Sequence, residues 1–501
     1  MKQEALLGID AGTSSLKIAA YSIDGQLLSV QSKAISVEAF SKGIVEIDPQ
    51  KYWNITLTNL ESLISTGNFE VLGIGIAVTS PCVTFMDNNF NNVGNSITYL
   101  DNRAIKELKR YLMQFNNDDF KYFIKVGNRA SISTCWSVSA KWVKENEPER
   151  WRKISHIGML NSFLASQLTG NAAIDTTQAS YSGLFKLANP VRWDDDLIKC
   201  SGIESHKLLD VVPPSLKIGT LKKDIARILG LSGQIPVAIG SGDTAAAAFG
   251  LGFSESNKAF ESAGTSGVLS FVLDKPDFNP IFMNRCHIYP NKWLAHGATS
   301  LMGGAIDWLR NKIFIELENI SNLDSISSRL KRGANGVVFL PYLSGERSPI
   351  WDPNAKSVWY GMHLNTNRYD LIEAVLEAGA FSLNNIKEHA VSSWGIEIES
   401  IVAIGNASRS SYWSQLKADV LKTPYFVYNV SDIAAYGAAL MGGCAAGIFS
   451  GPEDNNIKPI KAGGKTYKPS KEEDKSLQSN YQIYKQLYPC LKDLMSQSLD
   501  L

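Results

Sequence analysis

The chain has 501 residues, enough for two or three domains. Lys and Arg total 49 and Asp and Glu total 49, which argues against a basic nucleic-acid binder and a polybasic membrane-surface protein. With 44% hydrophobic and 20% charged residues the composition is that of a folded globular protein, which leaves no place for wholesale disorder or a collagen-like chain.

Met1 to Asp10 does not read as a signal peptide, because its apolar run is short and ends in a carboxylate. Ala5–Asp10, Leu16–Ser22 and Gln26–Gln31 read as short strands, with Asp24-Gly25 a hairpin signal. Pro49–Ser65 reads as a helix. Val71–Val78 follows as a buried strand ended by Thr79-Ser80-Pro81. Val237–Gly240 is a short strand, and Asp243–Phe249 begins an Ala-rich helix. Lys258–Ser262 and Gly267–Val272 are strands flanking a glycine turn, with further strands at Gly336–Leu340 and Ile401–Ile404. Helices are expected over Gly304–Arg310 and Leu371–Glu388. Ile433–Phe449 carries no charge but is mostly Ala and Gly, which favours a closely packed buried helix over a membrane span. Gly451–Ser470, rich in Lys, Pro, Gly and Asn, reads as a loop. Tyr481, Tyr484, Leu487 and Tyr488 then recur at helical spacing, as in a docked terminal helix. The alternation of strands and helices predicts an α/β fold.

The six cysteines (Cys82, Cys135, Cys200, Cys286, Cys444 and Cys490) contain no C-x-x-C pair and predict reduced thiols in a cytoplasmic protein. The His residues show no metal-site spacing. Gly464-Lys465-Thr466 imitates the end of a Walker A loop, but Pro459 occupies the required upstream glycine position and no strand is predicted before it.

Ala11-Gly12-Thr13-Ser14 after the first strand is repeated as Ala263-Gly264-Thr265-Ser266 after a later one. Each sits between two apolar β runs, which predicts two related α/β lobes that each present one such loop. A glycine turn with Thr and Ser offers backbone N–H groups and hydroxyls to phosphate oxygens, although an ordinary hairpin is the plainer reading of one loop alone. Asp10, at the end of a buried strand beside the first loop, needs a partner, and Mg²⁺ is a suitable one. Gly240-Ser241-Gly242-Asp243-Thr244 ends a strand and opens a helix. Asp243 is therefore either a helix cap or a general base facing a cleft. Gly405-Asn406-Ala407-Ser408-Arg409-Ser410 opens another strand-to-helix turn, whose small residues suit a flat ligand.

Together these segments resemble the FGGY carbohydrate kinases over nearly the whole length. Asp10 to Lys17 resembles the family's first phosphate loop, and Gly264-Thr265-Ser266 the second. Asp101-Asn102-Arg103 resembles its sugar contact, with Tyr99 where Trp is usual. Asp175-Thr176-Thr177-Gln178-Ala179-Ser180, Gly240 to Asp243, Leu340 to Pro349 with Trp351-Asp352-Pro353, and Gly405 to Asp419 resemble further family segments. Two departures stand out. Thr79-Ser80-Pro81-Cys82-Val83 replaces the Gln-Met-His-Gly usual in xylulose kinases, and Asn406 and Ala407 replace glycines in the adenosine turn.

The resemblance implies two actin-like (ribonuclease H-like) lobes with a central cleft: residues 1–246 for the sugar, 247–450 for ATP, and 451–501 as a terminal loop and docked helix. It implies transfer of the γ-phosphoryl of MgATP to a small sugar, a ketopentose such as D-xylulose first and gluconate second. Asp243 is expected as base and sugar contact, and Asp10 as the Mg²⁺ residue. Gly12, Thr13, Ser14, Lys17, Gly264, Thr265, Gly405 and Asn406 are expected on ATP, and Ser80, Asp101 and Arg103 on the sugar. No nucleic-acid or membrane partner is expected, and a homodimer is. The rival reading is a non-catalytic actin-like sensor or ATPase, which has no need of a base at Asp243.

Overall fold

The computed structural model describes residues 2–35, 38–41, 43–314, 323–429, 432–461, 463–472 and 474–497. Its framework is two large mixed sheets. In the first, β1 (Gln3–Ala11) is central. It pairs antiparallel with β2 (Ser15–Ser22) and parallel with β4 (Phe69–Val78), while β3 (Leu27–Ala34) adds to β2. Beyond β4 come β6 (Pro236–Ala238), parallel, and β5 (Lys217–Thr220), antiparallel. The run Ala5 to Ile9 is buried throughout, as a strand covered on both faces must be.

The second sheet repeats this plan. Its central strand β7 (Lys258–Ala263) pairs antiparallel with β8 (Gly267–Leu273) and parallel with β11 (Ser400–Ile404). Strand β9 (Met283–Cys286) and strand β10 (Trp293–Ala298) extend it beyond β8, and β12 (Tyr425–Tyr428) extends it in parallel beyond β11. The far edge is β13 (Gly464–Tyr467), antiparallel to β12. That corrects the expectation of a loop over Gly451–Ser470. Gly464 to Tyr467 is a poor strand former by composition, and the open edge of β12 pairs it. Residue 462 of that stretch lies outside the described residues.

The helices follow the sequence with modest shifts. Helix α1 (Pro49–Thr66) is capped by Asp48, whose carboxylate accepts from the Gln50 N–H. Helix α2 (Asp243–Gly250) follows the first sheet. Helix α3 (Gly303–Trp308) passes into a π turn over Leu309–Ile313, so the helix expected to Arg310 is shorter in α form. Helix α4 (Arg368–Trp394) is longer than expected at both ends, started by a capping box of Asn367 and Asp370 and ended by Gly395 in the left-handed conformation. Helices α5 (Ser411–Leu421), α6 (Ile433–Ala445) and α7 (Lys475–Met495) complete the second half. Tyr484 of α7 bonds Ser382 at 2.8 Å and so docks the terminal helix on α4.

Helix α6 is the closely packed buried helix its composition predicts, and among the described residues no helix is long and apolar enough to cross a membrane. It lies across the first sheet although it follows the second. A Cβ on Gly8 or Gly75 would collide with the α6 backbone at Ala435 and Ala438, so glycine on β1 and β4 sets how closely the helix approaches. Helix α2 packs on α6 through a matching contact at Gly437 and Ala246.

A smaller five-stranded sheet, including Ile44–Ile47, Cys82–Met86 and Ser96–Thr98, flanks the first. It carries the chain into Asp101 and Arg103. All six cysteines are free thiols.

Candidate active site

The two glycine loops leave corresponding ends of β1 and β7. They differ by one residue, because β1 and β2 close at Ala11 opposite Leu16 and β7 and β8 at Ala263 opposite Gly267. In the first loop Gly12 N–H donates to Ser15 O at 3.0 Å, and the Tyr52 hydroxyl of α1 donates to the Gly12 carbonyl at 2.9 Å. In the second, Gly264 N–H donates to Ser266 O at 3.0 Å. The Thr265 carbonyl accepts from Met302 and Gly304 at 2.8 and 3.0 Å, so the start of α3 holds this loop. A Cβ on Gly264 would meet nothing closer than Ser266 O at 3.6 Å, and one on Gly12 only Ser15 O at 3.2 Å. The space above both glycines is therefore open to a ligand.

A cavity of about 800 Å³ adjoins the second loop. Of the residues expected on ATP, Lys17, Gly264, Thr265, Gly405 and Asn406 line it, with Lys17 entering from the first sheet. Gly12, Thr13 and Ser14 lie outside that lining. Gly405 has φ +103°, and a Cβ there would strike the Ala263 carbonyl. A side chain at 405 would thus displace the second glycine loop. Asn406 opens a short 3₁₀ turn, in which Ser408 donates its N–H and its hydroxyl to the Gly405 carbonyl at 3.2 and 2.7 Å.

Asp10, Asp243 and Asp432 form an electrostatic cluster with Lys17. Burial, with the charges of Asp243 and Asp432, pushes the Asp10 carboxyl up to about 7 against the pull of Lys17. Asp10 makes no side-chain hydrogen bond among the described residues. A half-buried carboxylate with no hydrogen-bond partner, whose ionisation is opposed by its neighbours, fits a Mg²⁺ site. No group of three or more His, Cys, Asp or Glu side chains able to hold a metal occurs among the described residues.

Asp243 opens α2, yet it does not cap the helix in the usual way. Its Oδ1 accepts from the adjacent Thr244 N–H at 2.6 Å and from the Thr244 hydroxyl at 3.2 Å, and its Oδ2 accepts nothing among the described residues. Burial raises its carboxyl above the ordinary carboxylate range, opposed mainly by Arg285.

Asp101 and Arg103 bond to each other. Arg103 Nη2 meets Asp101 Oδ2 at 2.7 Å and Glu46 Oε1 at 2.6 Å, Asp101 Oδ2 also accepts from Val45 N–H at 2.8 Å, and the guanidinium lies over Trp142. Ser80 donates to Gln178 Oε1 at 2.7 Å and accepts from Arg285 Nη2 at 2.7 Å. Burial, and then the charge of Asp243, raises the Tyr99 hydroxyl above its ordinary range, against the pull of Arg347.

Residues 5–250 match the N-terminal domain of the FGGY family of carbohydrate kinases, and residues 259–446 match its C-terminal domain. The chain belongs to this family. It is 26% identical to the xylulose kinase of Staphylococcus xylosus, over 96% of this chain and 99% of that one. It is 27% identical to the xylulose kinase of Escherichia coli K12, over 98% and 100%. A solved structure, the xyloylose kinase of Brucella ovis, superposes with a TM-score of 0.89 at 27% identity, over 98% and 100%. The two actin-like lobes implied by the sequence are thereby established, and with them an ATP-dependent carbohydrate kinase.

Sequence reasoning passed over three residues of this kinase. Arg285 lies on β9 outside any motif, and a lone charge inside a short buried strand was its only signal. Gln178 lies in the Asp175 to Ser180 segment, where its sequence position alone gives it no role. Asp432, which pairs with Lys17 at 2.9 Å, lies directly ahead of an Ala- and Gly-rich helix just as Asp243 does, and that likeness would have found it.

Proposed function

We propose that this kinase transfers the γ-phosphoryl of MgATP to a hydroxyl of a neutral ketopentose, D-xylulose first. The observation that carries the reading is Asp243. It is a half-buried carboxylate at a helix start with one oxygen open, electrostatically coupled to Asp10 and set among groups from both lobes. The open oxygen receives the proton of the sugar hydroxyl as that oxygen bonds to phosphorus and the bond to the departing ADP oxygen breaks. Such transfer needs positioning and charge neutralisation more than covalent help. Gly12, Thr13 and Ser14 from one lobe and Gly264 and Thr265 from the other donate to the phosphate oxygens. Lys17 adds positive charge at the cavity, and Gly405 and Asn406 lie under the adenosine. Asp10 would hold Mg²⁺, which would neutralise phosphate charge there.

On the sugar side, Ser80 and Asp243 make direct contacts, and Asp101 and Arg103 act as a pre-formed pair. Two features favour a neutral sugar over gluconate. Arg103 is already committed to Asp101 and Glu46, and three acids crowd the reacting end. The same reading divides the chain into residues 1–246 and 247–450, with 451–501 closing the second lobe.

A coupled assay of ADP release tests the proposal with D-xylulose, D-ribulose, L-ribulose, glycerol and D-gluconate. A ketopentose is expected to give the highest kcat/KM, and a gluconate value above every ketopentose would overturn the substrate assignment.

A further inference from the structure

Arg285 belongs to the second sheet by chain position, but its partners belong to the first. It is 2% exposed. Its Nη2 donates to Ser80 Oγ at 2.7 Å and, more weakly, to Thr177 O at 3.4 Å. Its guanidinium lies over Tyr181, with Cζ 4.3 Å from the ring centre. A Cβ built on Gly242, next to the base, would come within 3.0 Å of the same Nη2. The flanking residues fix the strand in place. Asn284 N–H donates to Asn128 Oδ1 at 2.8 Å, and Cys286 N–H to Ser180 Oγ at 2.9 Å. The guanidinium is thus held rigidly beside Asp243.

Ser80 passes the hydrogen bond on to Gln178 Oε1 at 2.7 Å, so Arg285, Ser80 and Gln178 form one relay. A donor is left over at each end. Arg285 Nε and Gln178 Nε2 are both buried, and neither has a partner among the described residues. Unpaired buried donors are costly, and a charged one more so. Two of them on one relay, beside the base, mark a place where acceptor atoms of a ligand belong.

The missing feature is lone pairs rather than negative charge. No carboxylate forms an ion pair with Arg285 among the described residues, but the charges of Asp243 and Asp175 both act on it. Asp175 is itself satisfied by Asn161, Thr177 and Gln178. An anionic group entering here would meet Asp243, Asp175 and Asp10 together. A hydroxyl could accept from these donors too, but its own hydrogen would then need an acceptor, and Asp243 Oδ2 is reserved in the proposed reaction for the hydroxyl that is phosphorylated, while Ser80 Oγ and Gln178 Oε1 each already accept one bond. A carbonyl oxygen accepts two hydrogen bonds and donates none.

Resting on the sugar-kinase reading above, we propose that Arg285, with Ser80 and Gln178, reads the carbonyl oxygen of an open-chain ketose and so selects ketoses over the corresponding alditols and over aldonates. Arg285 is then a specificity-determining residue supplied to the sugar site by the opposite lobe.

The test compares kcat/KM on D-xylulose, D-ribulose, xylitol and D-gluconate for wild type, Arg285→Met and Gln178→Met. Sugar-induced shifts of the thermal midpoint without ATP serve as a second readout. The wild type is expected to prefer a ketopentose over xylitol by about 100-fold or more, since a site built around a polar group rejects the analogue lacking it. Arg285→Met should lose about 100-fold on the ketopentose, mostly through KM, but only about threefold on xylitol, which collapses the preference. Gln178→Met should do the same more weakly, and it carries the test if the Arg285→Met variant does not fold. Equal losses on ketose and alditol would make Arg285 merely structural and overturn the proposal. A wild-type preference for gluconate that Arg285→Met abolishes would overturn it too, in favour of a carboxylate reader. A wild type that turns over none of the four sugars sinks the substrate reading and this inference together. An active, ketose-selective wild type whose preference survives both substitutions sinks this inference alone.

Discussion

Asp243 and Asp432 hold the same place in the two lobes. Each directly precedes or opens a helix of small residues, α2 or α6, after the last parallel strand of its sheet. Their surroundings differ. Asp432 pairs with Lys17 at 2.9 Å and accepts the Tyr21 hydroxyl on its carbonyl at 3.0 Å. Asp243 has only hydrogen bonds from its neighbour Thr244 and the charge of Arg285 to hold it. The repeat supplies two carboxylates in like places, and neighbouring side chains decide which one keeps an unbonded oxygen. The glycine loops tell the same story. One is held by a tyrosine hydroxyl and the other by backbone amides at the start of α3, so the same four residues sit on different supports.

The sharpest way to break the comparison is to neutralise the two acids separately. Asp243→Asn should cut kcat by about 10² to 10⁴-fold while leaving ATP and sugar affinities nearly intact, measured by coupled assay and calorimetry. Asp432→Asn should cost about tenfold or less, mainly in KM for ATP through Lys17. Equal losses in kcat would show that the two positions are not differentiated as described.

Next come the glycines of the second lobe. Gly405→Ala forces a Cβ onto the Ala263 carbonyl at φ +103° and should destabilise the fold by about 1–3 kcal/mol in denaturant titrations, with ATP binding lost alongside. Gly264→Ala meets only Ser266 O at 3.6 Å, so stability should hold within about 0.5 kcal/mol while KM for ATP rises. An unchanged KM for Gly264→Ala would remove that loop from the nucleotide.

The smallest expected effect is on stability against pH. The Asp10 carboxyl, near 7 in the fold against an ordinary 3.8, binds its proton more tightly folded than unfolded. Its ionisation therefore opposes folding. The penalty is absent below about pH 4, grows through the interval and is complete above about pH 7. Asp10→Asn should accordingly raise the thermal midpoint of the nucleotide-free protein relative to wild type more at pH 8 than at pH 5. A difference that shrinks with rising pH would contradict the burial and crowding of Asp10.

Much of this was legible in the sequence because it is local. A run such as Ala5 to Ile9 buries on both faces wherever it lies, and a glycine turn between two such runs makes a hairpin. The repeat of Ala-Gly-Thr-Ser therefore located two lobes before any contact was known. The Ala- and Gly-rich, uncharged run of Ile433 to Ala445 likewise announced a helix in close contact with its neighbours, and Asp243 stood out by its place between strand and helix. Tertiary structure decided what depends on partners far away in the chain. Gly464 to Tyr467 becomes a strand only because β12 has an open edge. Asp101 and Arg103 each read as free sugar contacts, but folding joins them to each other and to Glu46, since buried charges must find partners. Arg285 could not be assigned from its neighbours in sequence, because Ser80 lies 205 residues away. Local pattern fixes which segments form strands, turns and helices. Packing brings distant polar groups together, and only their hydrogen-bond geometry shows which donors and acceptors are already paired and which remain for a ligand.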